Sequence, residues 1–222
     1  MFCALIDTSG GNILVGVADF EGRLISAIDL PHTKENAMGI AEHFASALET
    51  AGIGIGDLEY VCVGCGPGSF IGTRTGVSYA NGLASASGIR TLGVGSMEAA
   101  AAEHSNSAAN VIVVREARRN SVFAGVYRKG DGGLRTLGEN EASLDDMKEI
   151  VDGAAKLAQD GSLVIVTDSS AMRDAVCSRN SLRATLLLKP NVVDLRGIAL
   201  LAAARRSSAS ASADVRYLRQ PV

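Results

Sequence analysis

The 222-residue chain is 47% apolar and carries a formal charge of −3, enough apolar material for one large or two small packed domains and no global basic field to draw it onto nucleic acid. Met1 to Asp7 lacks a basic lead and is broken by a carboxylate, and the longest apolar run, Ile198 to Ala204, is too short for a bilayer, so neither a signal peptide nor a membrane span is expected. Cys3, Cys62, Cys65 and Cys177 sit in apolar strings, which points to a reducing cytoplasm.

In chain order, Phe2 to Asp7, Ile13 to Ala18 and Arg23 to Leu30 are apolar runs separated by Gly10-Gly11-Asn12 and Glu21-Gly22, a pattern that predicts a three-stranded meander. From Thr33, the residues Ala37, Ile40, Ala41, Phe44, Ala47, Leu48 and Ala51 recur at helical spacing, and Gly52 is the stop signal. Tyr60 to Val63 then leads into Gly64-Cys65-Gly66-Pro67-Gly68-Ser69-Phe70-Ile71-Gly72-Thr73-Arg74-Thr75-Gly76, which reads as strand, turn and helix. A second helix is expected from Thr73 to about Ser87, a strand from Thr91 to Val94, and a third helix capped by Ser96 with Glu98 in its first turn.

The glycine loop has two readings, a tight strand-to-helix turn or a cradle of backbone N–H groups for an anion. It is not a Walker loop, because Gly72 is followed by Thr73-Arg74 with no lysine, and it is not a Rossmann fingerprint, because Gly72 comes one residue too late after Gly66 and Gly68. Cys62 and Cys65 form a lone C-x-x-C on opposite faces of a strand and read as structural thiols. Ser69 is outside a Gly-x-Ser-x-Gly elbow and has no nearby histidine, which leaves the serine-protease reading without chemistry. On the second helix Gly76, Ala80 and Ala84 recur at four-residue steps, so another helix can come close, from its own half or from a partner.

At Val111 the pattern restarts. A displacement of 109 residues sets Glu116 on Asp7, Gly125 on Gly16 and Val126 on Val17, a weak internal repeat with a carboxylate after the first strand of each copy. A helix is expected from Ser143 to Gln159, a strand from Leu163 to Thr167, a short helix near Ala171, an apolar segment from Thr185 to Leu188 and a helix from Asp194 to Arg206. Ser207 to Ala213 reads as a mobile, low-complexity tail. Two hairpin-led halves, 1–109 and a reduced 110–222, fit an α/β fold of two tandem actin-like or sugar-kinase-like (RNase H-type) subdomains. No second glycine loop follows Asp168, whose neighbours are Ser169-Ser170, so no complete nucleotide site is visible.

Gly66 to Gly76 resembles the signature of the TsaB (YeaZ) family, once grouped with M22-type glycoproteases. The usual family form has Thr where Ile71 stands, Leu at 73 and Ile at 75. Ile6-Asp7-Thr8-Ser9 resembles the family's opening. Glu116-Ala117-Arg118-Arg119 resembles its Asp-Ala-Arg-Arg, with Glu for Asp, and Val215-Arg216-Tyr217-Leu218-Arg219 its Pro-x-Tyr-Leu-Arg ending, with Val for Pro. The resemblance implies a non-catalytic scaffold, without cofactor or metal, for making N6-threonylcarbamoyladenosine beside the anticodon of tRNA. Its implied partners are the TsaD transferase, the TsaE ATPase, tRNA through the complex, and a second copy of itself. It also implies docking through the first two helices, with Ala37, Ile40, Ala41 and Phe44 on one and Arg74, Gly76, Val77, Ala80 and Ala84 on the other. Asp7, Thr8, Gly66, Gly68, Ser69 and Glu116 would then be remnants of a nucleotide site. The alternatives left open are an autonomous nucleotide-dependent phosphotransferase using Asp7, Glu116 and the loop, and a metalloprotease. The metalloprotease would need the His-x-x-x-His pair of the catalytic sister, which His32, His43 and His104 do not form. Arg115, Arg118, Arg119 and Arg128 read as a basic cluster, either solvated or facing tRNA or an acidic partner.

Overall fold

Strands β1 (Phe2–Asp7), β2 (Asn12–Asp19) and β3 (Leu24–Pro31) form the expected antiparallel meander. The computed structural model describes residues 1–117, 120–131, 133–178, 182–216 and 218. The first predicted helix is two, α1 (Lys34–Met38) and α2 (Ile40–Ala51), broken at Gly39, whose N–H still bonds Glu35 while its backbone leaves helical geometry. Thr33 caps α1, and Gly52 ends α2 in the left-handed region that glycine adopts freely. After β4 (Leu58–Gly64), α3 (Phe70–Ser87) begins three residues earlier than predicted, because the Ser69 hydroxyl accepts the Gly72 N–H and so starts the helix there. Then come β5 (Arg90–Val94) and α4 (Ser96–His104). Strands β4 and β5 add in parallel beside β1, and the sheet order is β3-β2-β1-β4-β5.

The second sheet repeats this plan. Strands β6 (Asn110–Glu116), β7 (Ser121–Gly130) and β8 (Gly133–Ser143) are antiparallel, and β9 (Leu163–Thr167) and β10 (Thr185–Leu188) lie parallel on the other side of β6. The 109-residue displacement does not hold along both strands of the hairpin. Asp7 pairs with Leu14 but Glu116 with Val122, so the second hairpin is one residue shorter and the halves share topology more than register. Strand β8 was not foreseen, since Gly-Leu-Arg-Thr-Leu-Gly-Glu-Asn-Glu-Ala-Ser has no apolar alternation. It is a polar edge strand with a bulge opposite Val126 and Tyr127, features that discourage further pairing. Helices α5 (Met147–Leu157), preceded by a 3₁₀ turn at Leu144–Asp146, and α6 (Ser170–Cys177) supply Met147, Val151, Ala154 and Met172 to a core with Ile112, Val114, Val122, Ala124 and Ile165.

The last helix, α7 (Leu195–Arg205), changes the expected domain division. The chain separates into a first unit of Met1–Ala99 joined by residues 193–216, and a second built on Ala100–Val192, whereas a single cut at 109/110 was expected. The cause is physical. Strands β1, β2 and β4 are apolar on both faces, so the first sheet must be covered twice. Ala4, Ile6, Val15, Val61 and Val63 pack on Phe44 and Ala47 of α2 and on Val77, Ala80 and Ala84 of α3. The opposite face receives α7, where the Tyr60 hydroxyl donates to the Ala202 carbonyl at 2.9 Å and Gly16 leaves room for the Leu195 side chain. Arg205 forks onto Glu98, with bonds of 2.9 and 2.5 Å. Beyond α7 and a 3₁₀ turn at Arg206–Ser208, the expected mobile tail is held: Thr91 and Ser210 exchange backbone hydrogen bonds of 2.7 and 2.8 Å. Among the described residues no helix is long and apolar enough to cross a membrane.

Candidate functional site

The carboxyl ends of β1 and β4 converge on Asp7. Its side chain is buried and accepts hydrogen bonds from the Ser9 N–H (2.8 Å), the Ser9 hydroxyl (2.8 Å) and the Ser96 hydroxyl (2.6 Å). Ser96, expected as a helix cap, is instead the first residue of α4 and accepts the Gly66 N–H at 3.0 Å, thereby joining the carboxylate to the glycine loop. Gly64 has to be glycine, because a Cβ there would overlap the Asp7 carboxylate. Thr8 donates its hydroxyl to the Gly72 carbonyl at 2.6 Å, and Gly72 and Gly76 lie so close to Thr8 that a Cβ on either would collide with it.

The structure thus brings Asp7, Thr8, Gly66 and Ser69 together, with Gly68 in the same turn. It spends their polar groups internally. The N–H of Cys65 goes to Val94, that of Gly66 to Ser96, that of Ser69 to Ser9, and those of Gly72 and Thr73 to Ser69. Five donors that could have faced an anion hold the turn in shape, which favours the structural reading of the loop. Burial pushes Cys3 and Cys65 up to about 11 and Cys62 well above its ordinary value, so these thiols are protonated and inert. Cys65 packs with the α2–α3 core and Cys62 lies on the other face, as their spacing predicted.

Glu116 ends β6 in the second unit, and its N–H bonds the Asp168 carboxylate at 2.7 Å. Burial raises the Asp168 carboxyl above its usual range, the Glu116 charge adds to this, and the Glu116 N–H and Arg115 oppose it. Of the expected basic cluster, the two described members lie at opposite ends of β6. Arg115 is buried near the end of β6, while Arg128 lies opposite Asn110 at its start, bonded to Asn110 and Asp160; Arg118 and Arg119 lie outside the described residues, as do Tyr217 and Arg219.

The helix residues divide by face. Ile40, Phe44, Gly76, Val77, Ala80 and Ala84 are buried, and all but Gly76 belong to the apolar core of their own unit, so the small-residue face of α3 packs on its own sheet. Ala37 is half-buried, and Ala41 and Arg74 are exposed. Next to them is a groove of about 480 Å³ lined by Ile40, Phe70, Ile71, Arg74, Ser78 and Tyr79. Phe70 is 41% and Ile71 66% exposed, and the Arg74 guanidinium stacks 3.8 Å over the Phe70 ring. Helical spacing alone pointed to the inward stripe. Phe70 and Ile71 were missed because they stood inside the loop motif, although two apolar residues straight after an N-cap were a readable signal.

A family model described as TsaD, tRNA N6-adenosine threonylcarbamoyltransferase, matches residues 33–181. The Escherichia coli tRNA threonylcarbamoyladenosine biosynthesis protein TsaB is 31% identical over 113 residues, covering 50% of this chain and 49% of that one. A crystal structure from Pseudomonas aeruginosa of a protein with similarity to peptidase YEAZ superposes with a TM-score of 0.75 at 23% identity, over 98% of this chain and 99% of that one. The chain belongs to the TsaB (YeaZ) family. A Thermus thermophilus ROK hexokinase, at a TM-score of 0.51, 16% identity and coverage of 94% and 98%, extends the likeness to sugar kinases, and the fold is the actin-like pair of α/β subdomains. The chain spans about half the length of the curated relatives it matches, from 35% to 64%.

Against the usual TsaB signature, the three departures change which groups are wet. Ile71, where the family has Thr, puts an apolar side chain on the surface. Thr73, where it has Leu, is buried, and its hydroxyl finds no hydrogen-bond partner among the described residues. Thr75, where it has Ile, returns its hydroxyl to the Ile71 carbonyl at 3.0 Å.

Proposed function

We propose that this chain is a non-catalytic subunit that holds a TsaD-type transferase in the cytoplasm during formation of N6-threonylcarbamoyladenosine in tRNA, with a TsaE-type ATPase as a further partner and tRNA met through the complex. The observation that carries the reading is the groove between α2 and the first turns of α3, where Phe70 and Ile71 offer apolar surface outside their own core. Such surface next to a cation suits a protein partner. The transferase is the occupant favoured here because a family model named for that activity matches this chain, so a partner of that kind would present related helices. Like elements on related folds pair readily about a pseudo-two-fold axis. The internally satisfied Asp7 carboxylate supports a role by binding over one by chemistry.

The test is size-exclusion chromatography with light scattering on the chain alone and mixed with the same organism's transferase. A one-to-one complex is expected, weakened by roughly thirtyfold or more in Ile71→Glu with the melting temperature unchanged, because an anchor in a groove contributes about 2 kcal/mol or more. Separate elution of the two wild-type proteins would sink the reading. A doubled mass for the chain alone, also abolished by Ile71→Glu, would give the groove to a second copy. Protection of the isolated chain from heating by magnesium–ATP would favour the phosphotransferase.

A further inference from the structure

The stretch 209–216 crosses the first unit at three places. Ser210 exchanges two backbone hydrogen bonds with Thr91 on β5. The Asn81 amide on α3 meets both sides of the Ala213 peptide, donating to its carbonyl and accepting its N–H, each at 2.9 Å. The Arg216 N–H then donates to the Cys65 carbonyl at 2.8 Å, directly ahead of Gly66. Two of these anchors bracket one piece of chain. Cys65 precedes the glycine loop, Asn81 sits on the helix that follows it, and Phe70, Ile71, Arg74 and Ser78 of the groove all lie between them.

The strap is weakly seated. Ser207-Ser208-Ala209-Ser210-Ala211-Ser212-Ala213 offers little apolar area; Ala213 is buried and Val215 packs partly against the core. The Thr91 hydroxyl, fully buried at the Ser210 bridge, has no partner among the described residues. A segment held by a few backbone bonds and one amide opens at lower free energy than the sheet it crosses.

We propose that residues 209–216 are a latch that holds the glycine loop and the start of α3 in the geometry the groove requires, so that their seating controls docking of the partner. The inference rests on the docking reading above. When the latch is seated, the entrance to the loop and the fourth turn of α3 are fixed to one segment, and the groove residues keep their spacing from Ile40 on α2. When it is released, Cys65 loses a donor, α3 loses its cross-tie, and the groove loses its fixed width.

The test uses the full chain with two substitutions on different anchors. Asn81→Asp keeps an acceptor for the Ala213 N–H but sets a carboxylate oxygen against the Ala213 carbonyl. Ser210→Pro removes the N–H that bonds Thr91. Residue-resolved hydrogen exchange is expected to show the Ala213 and Arg216 amides, and those of residues 73–78, exchanging roughly tenfold faster in both variants, with β1 unchanged. Affinity for the transferase should fall roughly fivefold or more in both. Faster exchange in the strap with α3 unchanged would reduce the segment to a cover and overturn the proposal, as would an effect on α3 in Asn81→Asp alone. If the wild-type chain binds no transferase, the docking reading fails by itself and the latch is decided by the α3 amides.

Discussion

Asp7 and Ser96 show how much at this site depends on single atoms. The Ser96 hydroxyl donates a hydrogen bond to the carboxylate and accepts one from the Gly66 N–H, and all three groups are buried. Ser96→Ala leaves an acceptor and a donor unmatched and is expected to cost about 2–4 kcal/mol in urea denaturation, since each stranded buried group costs roughly 1–3 kcal/mol; a loss under 1 kcal/mol would mean that solvent reaches the pair. Asp168 gives a prediction with a sign. Burial raises its carboxyl above the ordinary 3.8, so the folded state holds the proton more tightly, and the contribution to stability is full below that value and lost as pH rises through the folded-state value. Asp168→Asn, which retains an acceptor for the Glu116 N–H, should therefore be more stable than the wild type near neutral pH, with the gap closing toward pH 4. A variant less stable at neutral pH would contradict this. Asp7 and the loop could be read from the sequence because Gly, Pro and a strand-ending carboxylate are local signals. The Ser96 bridge could not, since it joins residues 89 apart.

Helix α3 illustrates what periodicity can and cannot reveal. The four-residue recurrence of Gly76, Ala80 and Ala84 correctly marks a face of close approach, but spacing does not say what approaches, and here it is the helix's own sheet. Ala80→Phe should accordingly act through folding. Overpacking of about 1–3 kcal/mol is expected in denaturant melts, with binding of the partner lost only in proportion to the unfolded fraction. A fully folded Ala80→Phe protein that no longer bound would return that face to the interface. Strands β1, β4 and β9 were legible because their apolar runs are short and bounded by turns. Strand β8 was not, because an edge strand half in water carries no apolar pattern, and its pairing is set by β7.

For the whole molecule, the return of α7 to the first sheet means that the first half of the sequence is not a complete folding unit. A fragment of residues 1–109 would expose Leu5, Leu14, Tyr60 and Cys62 on the face that α7 covers, and it is expected to aggregate, while adding a peptide of residues 193–216 should restore a soluble first unit. A soluble, cooperatively melting 1–109 fragment would show the cover to be dispensable. The topology also sets an order in time. The ribosome completes β1 to β5, then makes the Ala100–Val192 body of the second unit, and only afterwards releases α7. At roughly 5–20 residues per second, the first sheet waits on the order of ten seconds with one face bare. The part of the chain that is translated second can thus mature first, and the nascent first sheet is the point at which a chaperone has the most to shield.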